Sequence, residues 1–358
     1  PDWIFQLARF RISAWRSMIP EEKSGSVAQA LREAFGTTDY EALERETKGL
    51  SSDLVFRIVV RGAAYSLRVL THINEQSDPR RQFACLKLAS DAGLAPRVRY
   101  LDMANGIAIT DFIEAAPLGA AEARARMPGV LRRLHALPPF PKTLNYLTMY
   151  NAFIRRFRPA NLAPEGEMEE AFACYRRLAD VYPRLEADMV SSHNDLKPEN
   201  VLFDGDRVWL IDWQAAFVND RYFDLGVTAN FVLTDDREER SYLENYFGAA
   251  ADDYMQARFV LMRQVLHMWY ATVFLLLGSA GAGAEPNGTT PDFREFHERI
   301  RTGEVDLADG RMKMTYGTVH WERFLENARR GRVDDALRTV AERHPAEGET
   351  PRLLPPLS

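Results

Sequence analysis

Apolar and polar positions follow two different periods along the chain. Val27, Leu31, Ala34 and Phe35 recur at helical spacing before Gly36, so the first 38 or so residues read as helical. Runs at 54–60 and 65–70, around the turn Arg61-Gly62-Ala63-Ala64, predict a β-hairpin, and 48–53 is a small polar loop ahead of it. A helix is expected from about Pro79 to Ala92, with Phe83, Leu86 and Ala89 on one face and Gly93 as its stop. Strands at 97–100 and 107–113 complete a β-rich segment. From Ala115 the period turns helical, over 122–136, 146–156, 167–182, 223–233, 237–247, 252–277, about 291–301 and 318–342. The stretch 279–288 has the composition of a flexible linker, and 351–358 reads as an extended tail. The pattern predicts an α+β fold with a small β-rich amino-terminal lobe and a larger helical one. Its parts are a helical segment 1–38, a β-rich amino-terminal lobe 39–114, a helical lobe 115–278, and linker and terminal helices 279–358.

One stretch interrupts the helical lobe. Ser191-Ser192-His193-Asn194-Asp195-Leu196-Lys197-Pro198-Glu199-Asn200 runs into the apolar 201–203, a polar turn Asp204-Gly205-Asp206, and the apolar 208–211 ending at Asp212. That is a loop followed by a hairpin. It places Asp195 and Asn200 at the spacing of a kinase catalytic loop, with Asp212 twelve residues beyond Asn200 where the second metal ligand belongs. The residue types suit phosphoryl transfer. Asn200 and Asp212 offer the hard oxygens that Mg²⁺ takes, and Asp195 offers a carboxylate to orient an attacking hydroxyl and accept its proton. Lys197, in the same loop, is a second candidate catalytic residue. His193 reads as a brace under the loop, the commoner use of a lone histidine.

Composition narrows the function classes. The chain has 358 residues, 46% of them apolar, enough for one large domain or two lobes around a cleft. A net charge of −6 excludes the basic footprint of a nucleic-acid binder. Two cysteines, Cys85 and Cys174, are too few for a disulfide framework or a zinc site, which fits a reducing cytoplasm. No secretion-signal pattern is visible. The most apolar run, 259–278, is interrupted by Arg263, Gln264 and His267 and reads as a buried core helix, so no membrane partner is expected.

On the nucleotide side, Ser51 and Ser52 could donate to phosphate oxygens from the 48–53 loop. Arg68, on a strand whose alternate residues are apolar, stands where kinases carry a phosphate-pairing lysine. It could act through a bidentate fork.

These residues resemble the aminoglycoside phosphotransferase and choline kinase superfamily, with the nearest likeness to bacterial choline kinase-like proteins. The resemblance is carried by His193-Asn194-Asp195-Leu196 with Asn200, Ile211-Asp212-Trp213, Asn219-Asp220 and Phe223-Asp224-Leu225. Leu67-Arg68-Val69, Ala92-Gly93-Leu94-Ala95-Pro96 and Thr110-Asp111-Phe112-Ile113-Glu114 extend it over about 41–277. It implies a bilobal protein-kinase-like fold that uses ATP and Mg²⁺ to phosphorylate a hydroxyl of a small molecule. It also implies that Asp111 and Ile113 meet adenine through their backbones, and that Asp224 anchors a buried helix. Two positions depart from the pattern. Gln82 stands where a glutamate would hold the phosphate-binding cation, leaving Arg68 an amide or another acid such as Glu75. Gln214 stands where choline kinases carry an acid near the quaternary ammonium, which points away from choline itself.

A protein kinase is the first rival reading. Asp212-Trp213-Gln214 in place of D-F-G, the missing glycine-rich loop and A-P-E, and only eleven residues between Asp212 and Asp224 oppose it. A nucleotide-binding protein without activity is the second, and Gln82 is its one support. For the acceptor, Tyr242, Tyr246, Trp269, Tyr270 and Trp321 could form a cation-π box, although aromatic stripes at helical spacing more often fill a core. Asp220, Asp235 and Asp236 could serve a polyamine, with Gln214, Asp220 and Trp269 the chosen substrate candidates.

Overall fold

In a computed structural model, residues 18–46, 53–74, 77–142, 146–280 and 289–343 are described. The 281–288 linker core, the 351–358 tail, the first seventeen residues, Ser51, Ser52 and Glu75 lie outside them. The chain divides into two compact units, one of 1–116 with 202–215, the other of 117–201 with 216–358.

The first unit is built on an antiparallel sheet of β1 (Ala42–Glu46), β2 (Leu54–Val60), β3 (Ala63–Val69), β4 (Val98–Asp102) and β5 (Ile107–Asp111), in the order β1-β2-β3-β5-β4. The β2–β3 turn is tighter than the four residues expected from sequence. Arg61 and Gly62 both take positive φ, 53° and 77°, the two-residue geometry that matches strand twist, so pairing starts at Val60 with Ala63. Alternation decides the faces of β2. Leu54, Phe56, Ile58 and Val60 are buried in a cluster with Val27, Ala30 and Leu31 of α1 (Glu21–Phe35). The opposite face of the sheet carries Val55 beside Arg68 and Arg68 beside Ala108. Helix α2 (Pro79–Asp91) starts at Pro79 under an Asp78 cap, and its Phe83 packs with Leu70 and Ala108.

The second unit is mostly helical: α3 (Ala120–His135), α4 (Tyr146–Phe157), α5 (Glu165–Val181), α6 (Arg221–Val232), α7 (Asp236–Phe247), α8 (Asp253–Ser279), α9 (Phe293–Arg301), α10 (Gly310–Ala328) and α11 (Gly331–Arg343). The single helix expected over 318–342 is two. Arg329 N–H closes on Leu325 O, the Arg329 guanidinium is bound bidentately by Glu170 at 2.8 and 2.7 Å, and Gly331 restarts the chain as α11. Helix α8 is long and apolar enough to cross a membrane by length and composition, yet 72% of its apolar window is buried within the protein. Short strands β6 (Ala116–Pro117), β8 (Val201–Phe203) and β9 (Val208–Leu210) also occur along the chain, and β7 (Met189–Ser192) pairs with β10 (Phe217–Asp220) as a two-stranded antiparallel sheet in the second unit.

Close packing holds α8 to α10. A Cβ on Gly317 would lie 2.7 Å from Leu275 Cγ and 2.7 Å from Leu275 N, with Ala271 O at 3.1 Å, so backbone meets backbone there. Gly317→Val should lower unfolding free energy by about 3 kcal/mol, the scale of overpacking, as read by urea denaturation.

Three histidines are buried at the same helical assembly. His267 Nδ1 and His320 Nδ1 face each other at 3.1 Å, His297 Nδ1 donates to Phe293 O at 2.5 Å, and His297 Nε2 and His320 Nε2 find no partner among the described residues. Burial is the largest influence, and it holds His267 and His320 well below the usual imidazole range and His297 at about 4. Arg263, Arg294 and Arg323 push the same way, while Asp292 and the His297 bond to Phe293 O oppose it. The unfolded chain, with histidines near about 6.5, therefore binds more protons below that pH. Stability should be full above about 6.5 and fall as pH drops toward about 4, with the urea midpoint moving down in step. His320→Asn should shallow that slope.

Candidate active site

In the second unit, β7 and β10 run antiparallel with Ser192 opposite Phe217, so the chain leaves β7 directly into the 193–200 loop. The loop is gripped from below. Asp224, fully buried in the first turn of α6, accepts from His193 N–H at 2.8 Å and Asn194 N–H at 2.7 Å. Its Oδ2 also meets His135 Nε2 at 3.3 Å, and His135 Nδ1 is 2.7 Å from the Tyr246 hydroxyl. Asn194 sits at φ 65°, a left-handed position that asparagine tolerates better than most side chains. Its Oδ1 accepts from Asn219 Nδ2 at 2.8 Å, tying the loop to β10.

This bend presents Asp195. Asn200 Nδ2 donates to both the Asp195 carbonyl at 2.8 Å and Asp195 Oδ2 at 2.9 Å, and Lys197 Nζ lies 3.3 Å from the same carboxylate. The structure thus brings together Asp195, Lys197 and Asn200. With both hydrogen-bonding directions of its NH₂ spent on Asp195, the Asn200 amide has its Oδ1 without a donor among the described residues. A hard oxygen so placed suits a magnesium ion.

In the first unit the centre is Arg68. Its Nη2 donates to Asp212 Oδ1 at 2.9 Å and its Nη1 reaches Asp53 Oδ2 at 3.4 Å. Burial works against its charge, but Asp212 and then Asp53 outweigh that and hold the guanidinium above its ordinary range. Asp212 takes φ 63°, strained for a residue other than glycine, a feature that clusters at functional sites. The expectation that Gln82 stands as partner to Arg68 is corrected: Gln82 is buried in α2 and its Nε2 donates to Ser77 O at 3.1 Å. Asp53 supplies the charge instead. The strand period could have found it, since Asp53 precedes Val55 by two and Val55 pairs with Arg68, putting both side chains on one face.

Asp111 ends β5 with its carboxylate on Arg99, at 2.6 and 3.2 Å, and its N–H on Arg97 O. Phe112 N–H goes to Ala64 O. Ile113 N–H takes no acceptor among the described residues. A groove of about 610 Å³ is lined by Arg57, Phe112, Ile113, Glu114, Phe203 and Asp204 among others.

The substrate candidates separate. Asp220 is buried, caps α6 through Tyr222 N–H at 2.9 Å and pairs with Arg258 at 2.8 Å, so it braces the fold and is closed to a ligand. Trp269 stacks on Tyr150 at 4.8 Å and meets Phe153 edge-on at 5.2 Å, which takes up one ring face. Gln214 lies in the short turn Trp213–Ala215 of the first unit, its carbonyl accepting from Arg81 at 2.8 Å. Tyr246 and Trp321 are committed to His135 and Glu167, Tyr242 is buried, and Asp235 caps α7.

Residues 42–260 match the phosphotransferase enzyme family. The chain belongs to this family. As a phosphotransferase it is an enzyme, and its fold has close parallels. A choline/ethanolamine kinase family protein from Mesorhizobium loti superposes with a TM-score of 0.62 at 20% identity, covering 84% of this chain and 93% of that one. Choline kinase LicA from Streptococcus pneumoniae gives 0.54 at 16% identity, over 80% and 99%. A spectinomycin phosphotransferase solved with ADP and spectinomycin gives 0.54 at 14%, over 82% and 98%. Among curated proteins, LicA of Haemophilus influenzae is 25% identical over 179 residues, 46% of this phosphotransferase and 65% of LicA.

The Asp224 grip gives a direct expectation. Asp224→Ala would leave two buried N–H donors without acceptors, each costing roughly 1–3 kcal/mol. Unfolding free energy should fall by on the order of 3 kcal/mol, and residual folded enzyme should lose turnover as the loop relaxes.

Proposed function

We propose that this phosphotransferase uses ATP and Mg²⁺ to phosphorylate a hydroxyl of a small molecule, a choline- or ethanolamine-like amino alcohol, an aminoglycoside or a related alcohol. The observation that carries the reading is the Asp195 carboxylate, held by Asn200 and Lys197 in a loop anchored on Asp224. Asp195 orients the acceptor hydroxyl and takes its proton. Lys197, beside that carboxylate, offers a positive charge to the transferring group. Arg68 binds phosphate oxygens, Asp53 and Asp212 keeping it charged and aimed. The Ile113 N–H receives the base. Asn200 Oδ1 and Asp212 would hold Mg²⁺, which when bound neutralises phosphate charge.

The protein-kinase reading is disfavoured by what lies between Asp212 and Asp224: a turn at Trp213–Ala215, the strand Phe217–Asp220 and the start of α6. These leave no segment to display a peptide. The reading as an inactive nucleotide binder loses its support with Asp53 in the place that Gln82 does not fill. A cytoplasmic site of action, where ATP is plentiful, fits this chemistry.

Asp195→Asn should keep folding and ATP binding while lowering kcat by about 10²-fold or more, the scale of a lost general base. Asp212→Ala should abolish productive Mg²⁺-ATP binding in calorimetric titration. Wild-type turnover in Asp195→Asn on an accepted alcohol would remove Asp195 from the mechanism.

A further inference from the structure

Arg258, on α8, is a full positive charge inside the second unit, 1% exposed. Its guanidinium forks between two carboxylates. One terminal nitrogen binds Asp188 Oδ2, and the other donates to Asp220 Oδ2 at 2.8 Å. The Tyr182 hydroxyl also donates to Asp220 Oδ2, at 3.2 Å, and the rings of Tyr182 and Tyr222 lie 5.1 and 4.6 Å from the guanidinium carbon. Arg221, the first residue of α6, adds a second cation 3.1 Å from Asp188 Oδ1. Two acids and two arginines leave the cluster neutral. A buried arrangement of this kind adds little net stability over apolar packing, and its best-attested use is to fix one register among several.

The two carboxylates mark the register of one ribbon. Asp188 is the residue before β7, and Asp220 is the last residue of β10, paired with Met189. At the other end of the ribbon, Ser192 opposite Phe217, the chain runs into the loop that carries Asp195. Four residue pairs join the strands, and a ribbon so short is marginal by itself. A slip of β10 by one residue would carry Asn219 about 3.3 Å along the strand and turn its side chain to the other face. Asn219 Nδ2 would then lose Asn194 Oδ1, the bond that ties the loop to β10. Because a guanidinium is a planar, rigid fork, Arg258 meets the acids at the ends of both strands only in the observed register. We propose that Arg258 is a positioning residue of this phosphotransferase: its fork locks the β7–β10 register and, through Asn219 and Asn194, sets where Asp195 stands. The inference rests on the reading of Asp195 as the base.

The test measures kcat, KM and urea midpoints for wild type, Arg258→Lys, Asn219→Ala and the double variant, with choline, ethanolamine and kanamycin as acceptors at saturating Mg²⁺-ATP. Arg258→Lys keeps the charge and loses the fork. On the acceptor that turns over fastest it should lower kcat by about tenfold or more, within what a small misplacement of a catalytic group costs, with KM for Mg²⁺-ATP little changed. In the double variant kcat should fall little below that of the worse single, because both changes break one chain of contacts, while the shifts in urea midpoint should add. Wild-type kcat in Arg258→Lys, or kcat losses that multiply in the double variant, would mean a role in stability alone and overturn the proposal. If Asp195→Asn turns over like wild type, the reading of Asp195 falls and this inference with it. If Asp195→Asn is impaired and Arg258→Lys is not, this inference falls alone. Should no acceptor turn over, amide hydrogen exchange decides: Arg258→Lys should speed exchange over 189–195 and leave the β2–β3 hairpin unchanged. Unchanged exchange over 189–195, or an equal rise in both places, counts against the proposal. If Arg258→Lys does not fold, Asp188→Asn, at the better exposed carboxylate, carries the same expectations.

Discussion

A single buried carboxylate, Asp224, sets the shape of the candidate catalytic loop. Isolated in an apolar helix such a group would be costly, and the structure offsets that cost with the N–H groups of His193 and Asn194. Those bonds hold the backbone where Asn194 turns left-handed, and that turn points the next residue, Asp195, away from the core. Asn219 and the β7–β10 pairing then hold the bend from the other side. The bend of the loop is thus held by partners on α6 and β10.

The first unit solves a related problem with the opposite charge. Arg68 is drawn into a partly buried place on the sheet, where a guanidinium without counterions would be poorly tolerated, and two carboxylates from opposite sides of it in sequence keep it ionised. Asp212 then has two duties, as counterion to Arg68 and as proposed metal ligand, and its strained backbone fits a residue positioned for more than packing. Asp53 shares the compensation of Arg68 with Asp212, and the amide at position 82 bonds Ser77 at the helix start instead.

The helical unit shows where aromatic residues go once packing is counted. Most of the tyrosines and tryptophans that could have formed a ligand box fill the core around α8, as ring area usually does.

The sequence by itself determined what depends on local order. The His193–Asn200 spacing, the apolar runs on either side of Asp204-Gly205-Asp206, and the change from strand to helix period at Ala115 were enough for the α+β fold and the family, and the same patterns singled out Asp195, Asn200, Asp212 and Arg68 as the residues proposed for the site. Helix bounds followed where a cap or a glycine marked them, as at Asp78 and Gly36, and failed where only a tertiary partner broke the helix, as at Arg329 with Glu170. Pairings between distant residues were decided by the folded chain alone. Asp53 became the partner of Arg68 because strand register put the two on one face. Asp220, which looks like a free acid in sequence, was consumed by Arg258, 38 residues away. Sequence carries spacing and period, whereas charge compensation is a property of whichever side chains three-dimensional packing brings within a few ångströms.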